Sequence, residues 1–397
     1  MPWRVTSPMY QRQRFVLDAE HAPCAFAELC RRYGISRKTG YKWLDRYARL
    51  GPDSLADRSH RPQQCPHATA PAVIRQILQL RKSWRWGARK LHELLLDDCP
   101  ADQVPGIATI HRILVRHGRV RRRRRSRVRA HPGRPQTPIT GPNVVWSVDF
   151  KGQFKLGDGR YCYPLTVQDA YSRYLLACEG LDGPLLEPTQ QVFRRLFREY
   201  GLPERIRSDN GQPFASCALG RLSQLSVWWL RLGVRPELIE PASPHQNGRH
   251  ERMHKDLKAE TTQPSAGSFR AQQRRFDAFR HTFNEVRPHE ALEQRRPAAL
   301  YAPSDRLYVQ RLRPITYPEH FEIRRVSTNG GIRWNKRWVN VSHILAALPV
   351  GLEPLTSGTW NVFFGPVHLG WLDERDYRIH DHRGRTHRER HLSPIRG

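Results

Sequence analysis

The spacing of apolar residues changes character along this chain, and each change marks a different kind of element. In FAELCRRYGISRKTGYKWLDRYARL, residues 26–50, apolar positions recur at helical intervals on both sides of Gly34-Ile35-Ser36. Gly34 supplies a tight turn and Ser36 a side chain suited to capping a second helix, so the stretch predicts two crossed helices. Leu29, Ile35, Tyr41 and Leu44 are the expected small core. After a Pro-rich break (DRSHRPQQCPHATAP) the design recurs: helical periodicity over 72–97, an irregular joint at 98–107, and TIHRILVRHG at 109–118 as a further recognition-type helix.

From residue 144 the period shortens to that of strands. VVWSVDFKGQFKL, the turn GDGR and YCYPLTVQDA read as a hairpin, and YLLACEGL as a third strand. PTQQVFRRLFREYG reads as an amphipathic helix with Val192, Leu196 and Phe197 inward, closed by Gly201. ERIRS is a short strand ending at SDNG; a helix around 219–232, a strand near 234–239 and a helix at 249–258 complete an α/β domain. Residues 308–379 turn β-rich again, with IRWNKRWVNVS and WNVFFGPVHLGWL suggesting a small barrel. The resulting division is 1–62 as a helix-turn-helix domain, 63–135 as a second helix-turn-helix unit with an Arg-rich linker, 140–303 as the α/β core, and 304–397 as a β-rich C-terminal domain.

Charge narrows the partner. The 397 residues carry a formal +30 at a mean hydropathy of −0.70. Residues 1–140 hold 29 Lys and Arg against 10 Asp and Glu, a net +19 that leaves +11 for the rest. Cations that neutralise phosphates release condensed counterions, so this balance points to double-stranded DNA. Arg37, Lys38 and Lys42 are placed to project from the second helix toward a groove. Arg121, Arg122 and Arg123 open the run VRRRRRSRVRAHPGRP, a solvated tether suited to tracking phosphates. No apolar run of membrane-spanning length and no apolar leader is present, so a cytoplasmic, DNA-associated protein without membrane contact is expected. The seven cysteines (Cys24, Cys30, Cys65, Cys99, Cys162, Cys178 and Cys217) form no C-x-x-C pair and are expected to be reduced.

Candidate chemistry lies in three acidic residues. Asp149 interrupts an apolar strand, where a charge is costly unless solvated, paired or bound to a cation. Asp209 stands where a strand ends in Asn210-Gly211, and Glu251 sits on a later helix. Three carboxylates converging from two strands and a helix can hold two Mg²⁺ or Mn²⁺ ions, hard cations that favour oxygen ligands. At 100° per residue Lys255 and Lys258 share Glu251's stripe of helix, while Met253 and Leu257 point into the core.

WSVDFKGQF, IRSDNGQPF and SPHQNGRHERMHKDLK resemble the three catalytic stretches of DDE transposases and retroviral-type integrases, over residues 140–300. The whole order, two helix-turn-helix units, this core and a β-rich tail, is similar to bacterial insertion-sequence transposases. The resemblance implies an RNase H-like core with Asp149, Asp209 and Glu251 as metal ligands and catalytic residues. It also implies binding to terminal inverted repeats and target DNA, cleavage and strand transfer, and at least a dimer when two ends are brought together. One departure is the interval of 41 residues between Asp209 and Glu251, where many relatives have 35; ALGRLSQLSVWWLRLG is long enough to absorb the excess.

Two other readings compete. A DNA-binding regulator with an inactive core would keep the fold without the reaction. His250-Glu251-x-x-His254 also matches the helix pattern of zinc metalloproteases, with both histidines on one face. Against it, Arg249, Arg252, Lys255 and Asp256 crowd the motif and no third ligand is spaced for zinc. On the DNA reading, loss of either histidine is expected to leave much of the cleavage activity, and His245 and Asn247 are expected to cap the helix in preference to touching DNA.

Overall fold

The computed structural model describes residues 7–21, 24–58, 68–120, 137–240, 248–312, 314–381, 384 and 386. The candidate residues Arg121, Arg122 and Arg123, and the capping candidates His245 and Asn247, lie outside them. The chain forms two compact units, Met1–Pro71 and Ala72–Gly397.

In the first unit, α1 (Pro8–His21), α2 (Phe26–Arg32) and α3 (Arg37–Leu50) surround one core. Ser36 Oγ accepts the Thr39 N–H at 3.1 Å and starts α3, and Gly34 turns the chain with φ of +65°. A Cβ at Gly40 would meet Cys30 Sγ at 2.8 Å, so glycine sets the close crossing of α2 and α3. The expected core needs one correction. Tyr41 is exposed, and Trp43 fills the interior with Phe15 and Val16 of α1. With Gly40 inward, the buried stripe of α3 runs through Trp43 and excludes Tyr41.

The second unit opens with α4 (Pro71–Trp84), α5 (Ala88–Asp98) and α6 (Ile107–Arg116), packed around Ile77, Leu91, Leu95 and Ile110. The central sheet follows: β1 (Val145–Phe150), β2 (Phe154–Lys155), β3 (Tyr161–Asp169), β4 (Leu175–Leu181), β5 (Arg205–Ser208) and β6 (Arg235–Leu238). β1, β3 and β4 form an antiparallel meander, with the short β2 also paired to β3; β5 and β6 extend the sheet from β1 in parallel. Alternation along the strands serves both faces. Trp146, Val148 and Ile206 face α7 (Leu186–Tyr200) and α8 (Gln224–Arg231), within a core that includes Phe193, Phe197 and Trp229. The opposite face carries α9 (Gly248–Thr261) and α10 (Phe269–His281), with Met253, Leu257 and Phe276 packed on Leu175 and Cys178. The interval before α9 does not hold one helix over 219–232. A 3-10 turn at Leu219–Arg221, with Gly220 at φ +63°, precedes α8, which Ser223 caps.

The β-rich tail is not a closed barrel. β7 (Glu322–Arg325), β10 (Pro349–Thr356), β11 (Thr359–Phe364), β12 (Val367–Asp373) and β13 (Arg378–His380) form an open five-stranded sheet, and β8 (Gly331–Trp334) pairs separately with β9 (Arg337–Asn340). The apolar face closes on other residues rather than on itself. Val350, Leu352, Val362 and Leu372 share one core with Ile332 and Val339 of the hairpin and with Leu219, Leu222, Val227 and Leu230 of the preceding domain.

Candidate active site

Register places the first two carboxylates. β1 and β5 run parallel with Val145 opposite Arg205 and Ser147 opposite Arg207, so the same frame brings Asp149 level with Asp209 just past the end of β5. Asp149 is still paired with Thr166 of β3 near the end of β1, while Asp209 begins the loop beyond β5, so both lie at the C-terminal edge of the parallel pair. The turn after Asp209 is fixed locally: its carboxylate accepts the Gly211 N–H at 3.2 Å, and Asn210 Nδ2 donates to the Ile239 carbonyl at 2.8 Å. Phe214, buried against Phe150 and Trp229, anchors the far side of that turn.

Helix α9 covers the same face. Its buried stripe contains His250, Met253, His254 and Leu257, which leaves Glu251, Lys255 and Lys258 exposed on the outer stripe. Under the N-terminal part of the helix the sheet is polar, because Ser147 and Asp149 alternate on β1 and Thr166 and Gln168 on β3. Thr166 Oγ1 lies 2.6 Å from His250 Nε2, 2.7 Å from His254 Nε2 and 3.1 Å from the Asp149 carbonyl oxygen. His250 Nδ1 lies 3.0 Å from Ser147 Oγ. His254 Nδ1 approaches Asp149 Oδ2 at 3.7 Å. Burial drives the proton affinity of both rings down, to about 3 for His250 and about 2 for His254, the latter also through His250 and Lys151. The His254–Asp149 approach is therefore between a neutral ring and a carboxyl group, not an ion pair.

Both histidines are buried and join α9 to β1 and β3. They do not form a zinc site: both Nε2 atoms converge on one hydroxyl. Among the described residues, no three His, Cys, Asp or Glu groups stand ready around a single point for a metal ion.

The electrostatics single out Asp149. Its pKa is raised to about 7, first by burial, then by the negative charge of Asp209, with a further contribution from Glu251; Lys151 opposes the shift. Asp209 is also raised by burial, against the Gly211 N–H. The negative charges of Asp209 and Glu251 thus both reach the buried Asp149 carboxyl with too little positive charge to offset them. The three do not stand as a ready-formed donor set, but their hard oxygens are of the kind that suits a divalent cation.

Two arginines hold the surroundings. Arg207, buried on β5, pairs with Glu237 of β6 at 2.6 Å, and Thr137 donates to the same carboxylate. Arg287 braces the outer side of α9, bonded to Asp256 at 2.8 Å and Glu260 at 3.3 Å, and lies over the ring of Trp86 from the α4–α6 bundle. Arg37, Lys38 and Lys42 are exposed on α3, far enough from its core stripe to meet a partner. The sequence reading missed Thr166 and Ser147 and, with them, the contacts that His250 and His254 make; the polar alternation Ser147-x-Asp149 and Thr166-x-Gln168 in otherwise apolar strands was the available signal.

The chain is similar to several known proteins and protein families. Integrase core domain families match residues 139–244 and 232–297, a helix-turn-helix domain family matches 12–63, and a homeodomain-like family matches 39–114. A 31.7 kDa protein of insertion element IS407 from Burkholderia multivorans is 30% identical over 242 residues, covering 59% of this chain and 82% of that protein. The Gag-Pol polyprotein of baboon endogenous virus is 28% identical over 131 residues, 33% of this chain and 7% of the polyprotein. Among solved structures, the HTLV-2 integrase catalytic core domain in complex with magnesium aligns with 14% identity and a TM-score of 0.31, over 41% of this chain and 99% of that one. A simian T-cell lymphotropic virus intasome aligns with 15% identity and a TM-score of 0.37, over 76% and 97%.

Proposed function

The chain belongs to the DDE transposase and retroviral-type integrase superfamily, and we propose that it is a transposase that binds the terminal inverted repeats of its element, cuts there and joins the ends to target DNA. The observation that carries this reading is the placement of Asp149 level with Asp209, on the face where α9 presents Glu251. Asp149, Asp209 and Glu251 would hold two Mg²⁺ or Mn²⁺ ions. Such ions, when bound, supply the Lewis acidity that activates a water or 3′-hydroxyl nucleophile and steadies the leaving oxygen.

The chain's own groups do the rest. Lys255 and Lys258, one and two turns along the exposed stripe from Glu251, present ammonium groups to phosphodiester oxygens beside the carboxylates. Arg37, Lys38 and Lys42 of α3 enter a groove of the repeat, and α6 supports a second contact. Arg121, Arg122 and Arg123, which follow α6 in the sequence, would track the phosphates between that unit and the α/β core. Synapsis of two ends requires at least a dimer. The protein works in the cytoplasm on chromosomal DNA, and no helix among the described residues is long and apolar enough to cross a membrane.

The test is end cleavage and strand transfer on terminal-repeat DNA with Mg²⁺. Asp149→Asn, Asp209→Asn and Glu251→Gln should each abolish both reactions while leaving repeat binding intact, and Lys258→Ala should weaken joining. Wild-type turnover by any of the three carboxylate variants would remove that residue from the site.

A further inference from the structure

The node beneath α9 has more acceptors than protons, and counting them fixes a role for His254. Thr166 has one hydroxyl proton and stands between two Nε2 atoms at 2.6 and 2.7 Å. Both rings are buried and neutral, so each carries one N–H. A hydroxyl between two such nitrogens accepts from one and donates to the other, or accepts from both and donates to the more distant Asp149 carbonyl. If His254 donates from Nε2, in either arrangement, its Nδ1 turns a bare lone pair toward Asp149. A protonated carboxyl can donate to that lone pair, but once Asp149 is ionised, as it must be to bind a cation, the two repel. The remaining order is consistent along the chain of contacts: Ser147 Oγ–H donates to His250 Nδ1 rather than to the Gln168 carbonyl 3.3 Å away, His250 Nε2–H donates to Thr166 Oγ1, and Thr166 Oγ–H donates to His254 Nε2. His254 is then left with its proton on Nδ1, facing Asp149 Oδ2 at 3.7 Å.

We propose that His254 is a positioning residue for Asp149: its Nδ1–H, oriented by the Thr166 hydroxyl and standing 3.7 Å from Oδ2, closes on that oxygen when Asp149 takes up a divalent cation and so fixes how the other oxygen is presented to it. The inference rests on the proposed function, since it gives Asp149 a ligand's role. It assigns the buried face of the His-Glu-x-x-His motif a task unrelated to zinc. Fixing a ligand by a hydrogen bond from behind changes metal affinity as well as rate.

Two substitutions separate positioning from packing. His254→Asn keeps an amide nitrogen near the place of Nδ1, whereas His254→Gln reaches toward Thr166 and offers no donor to Asp149. Both remove the ring. The measurement is Mn²⁺ affinity of the full chain without DNA, from the electron paramagnetic resonance signal of free Mn²⁺, alongside thermal unfolding and cleavage of terminal-repeat DNA. The Gln variant should bind Mn²⁺ about tenfold or more weakly than wild type, with the Asn variant much closer to wild type. Their melting temperatures should match each other. Equal loss in both, or loss in neither, overturns the proposal. If neither variant folds, Thr166→Val decides: it keeps the β-branched shape and removes the orienting hydroxyl, and wild-type Mn²⁺ affinity there overturns the proposal too. Asp149→Asn keeps the two claims apart. Undiminished Mn²⁺ affinity in that variant breaks the functional reading, whereas loss there with a wild-type-like Gln variant breaks the positioning inference alone.

Discussion

Asp149→Asn should make the metal-free protein more stable at pH 8, although it removes a residue proposed to be essential. The folded chain holds the Asp149 proton up to about pH 7, because burial and Asp209 penalise the carboxylate. In the unfolded chain the group ionises near pH 4. Between these values the native state binds more protons than the unfolded state, so stability falls as pH rises and the full penalty is present above about pH 7. Three decades of proton affinity at about 1.4 kcal/mol each amount to about 4 kcal/mol. Asp149 keeps 21% of its side-chain exposure, and water relaxing around it reduces the figure to roughly 2 kcal/mol. Asparagine carries no charge to desolvate. Thermal unfolding in EDTA at pH 8 should therefore show the variant melting roughly 4–8 °C above wild type. At pH 5 the gain should fall to less than about half, because the wild-type carboxyl is then protonated in the fold. Excess Mg²⁺ at pH 8 should raise wild type and leave the variant unmoved. A variant no more stable than wild type at pH 8, or equally stabilised at both pH values, would refute the charge argument.

Other expectations follow from named contacts. Arg287→Ala strands Asp256 and Glu260 and uncovers Trp86; because both carboxylates are partly hydrated, the loss should be about 2 kcal/mol, below that of a fully buried pair, read by urea unfolding. Gly220→Ala places a Cβ 2.9 Å from Leu369 Cδ2 at φ +63°, and should cost about 1–3 kcal/mol with earlier protease cutting in the tail; an unchanged midpoint would mean the contact is soft. Arg37→Ala or Lys42→Ala in the full chain should lower affinity for repeat DNA, and each lost phosphate contact should flatten the salt dependence by about one in the log–log slope.

Local signals in the sequence carried much of this arrangement. Ser36 and Gly34 mark the start of α3, SDNG marks the end of β5, and Asp149 is conspicuous inside an apolar strand. Long-range pairing was not legible. The spacing of His250 and His254 fixes that they share a helix face, but only the folded sheet puts Thr166 and Ser147 beneath them. The same gap explains the barrel: alternation announces strands, yet whether a sheet closes depends on what else offers apolar surface, here Leu219, Leu222, Val227 and Leu230. Tyr41 was misassigned because α1, which supplies Phe15 and Val16, gave no periodic signal strong enough to set the inward stripe of α3.

That borrowed apolar surface limits how the chain can be rearranged. The stretch between Asp209 and Glu251 supplies four buried side chains to the core of the C-terminal sheets. A chain truncated ahead of those strands would leave an adhesive patch on the catalytic domain, prone to clumping in solution. A tail transplanted from another transposase would have to match the shape of Leu219, Gly220 and Val227 as well as carry its own sequence. The two parts are therefore exchangeable only as a pair, and shortening the interval before the glutamate would loosen the tail as well as the loop it belongs to.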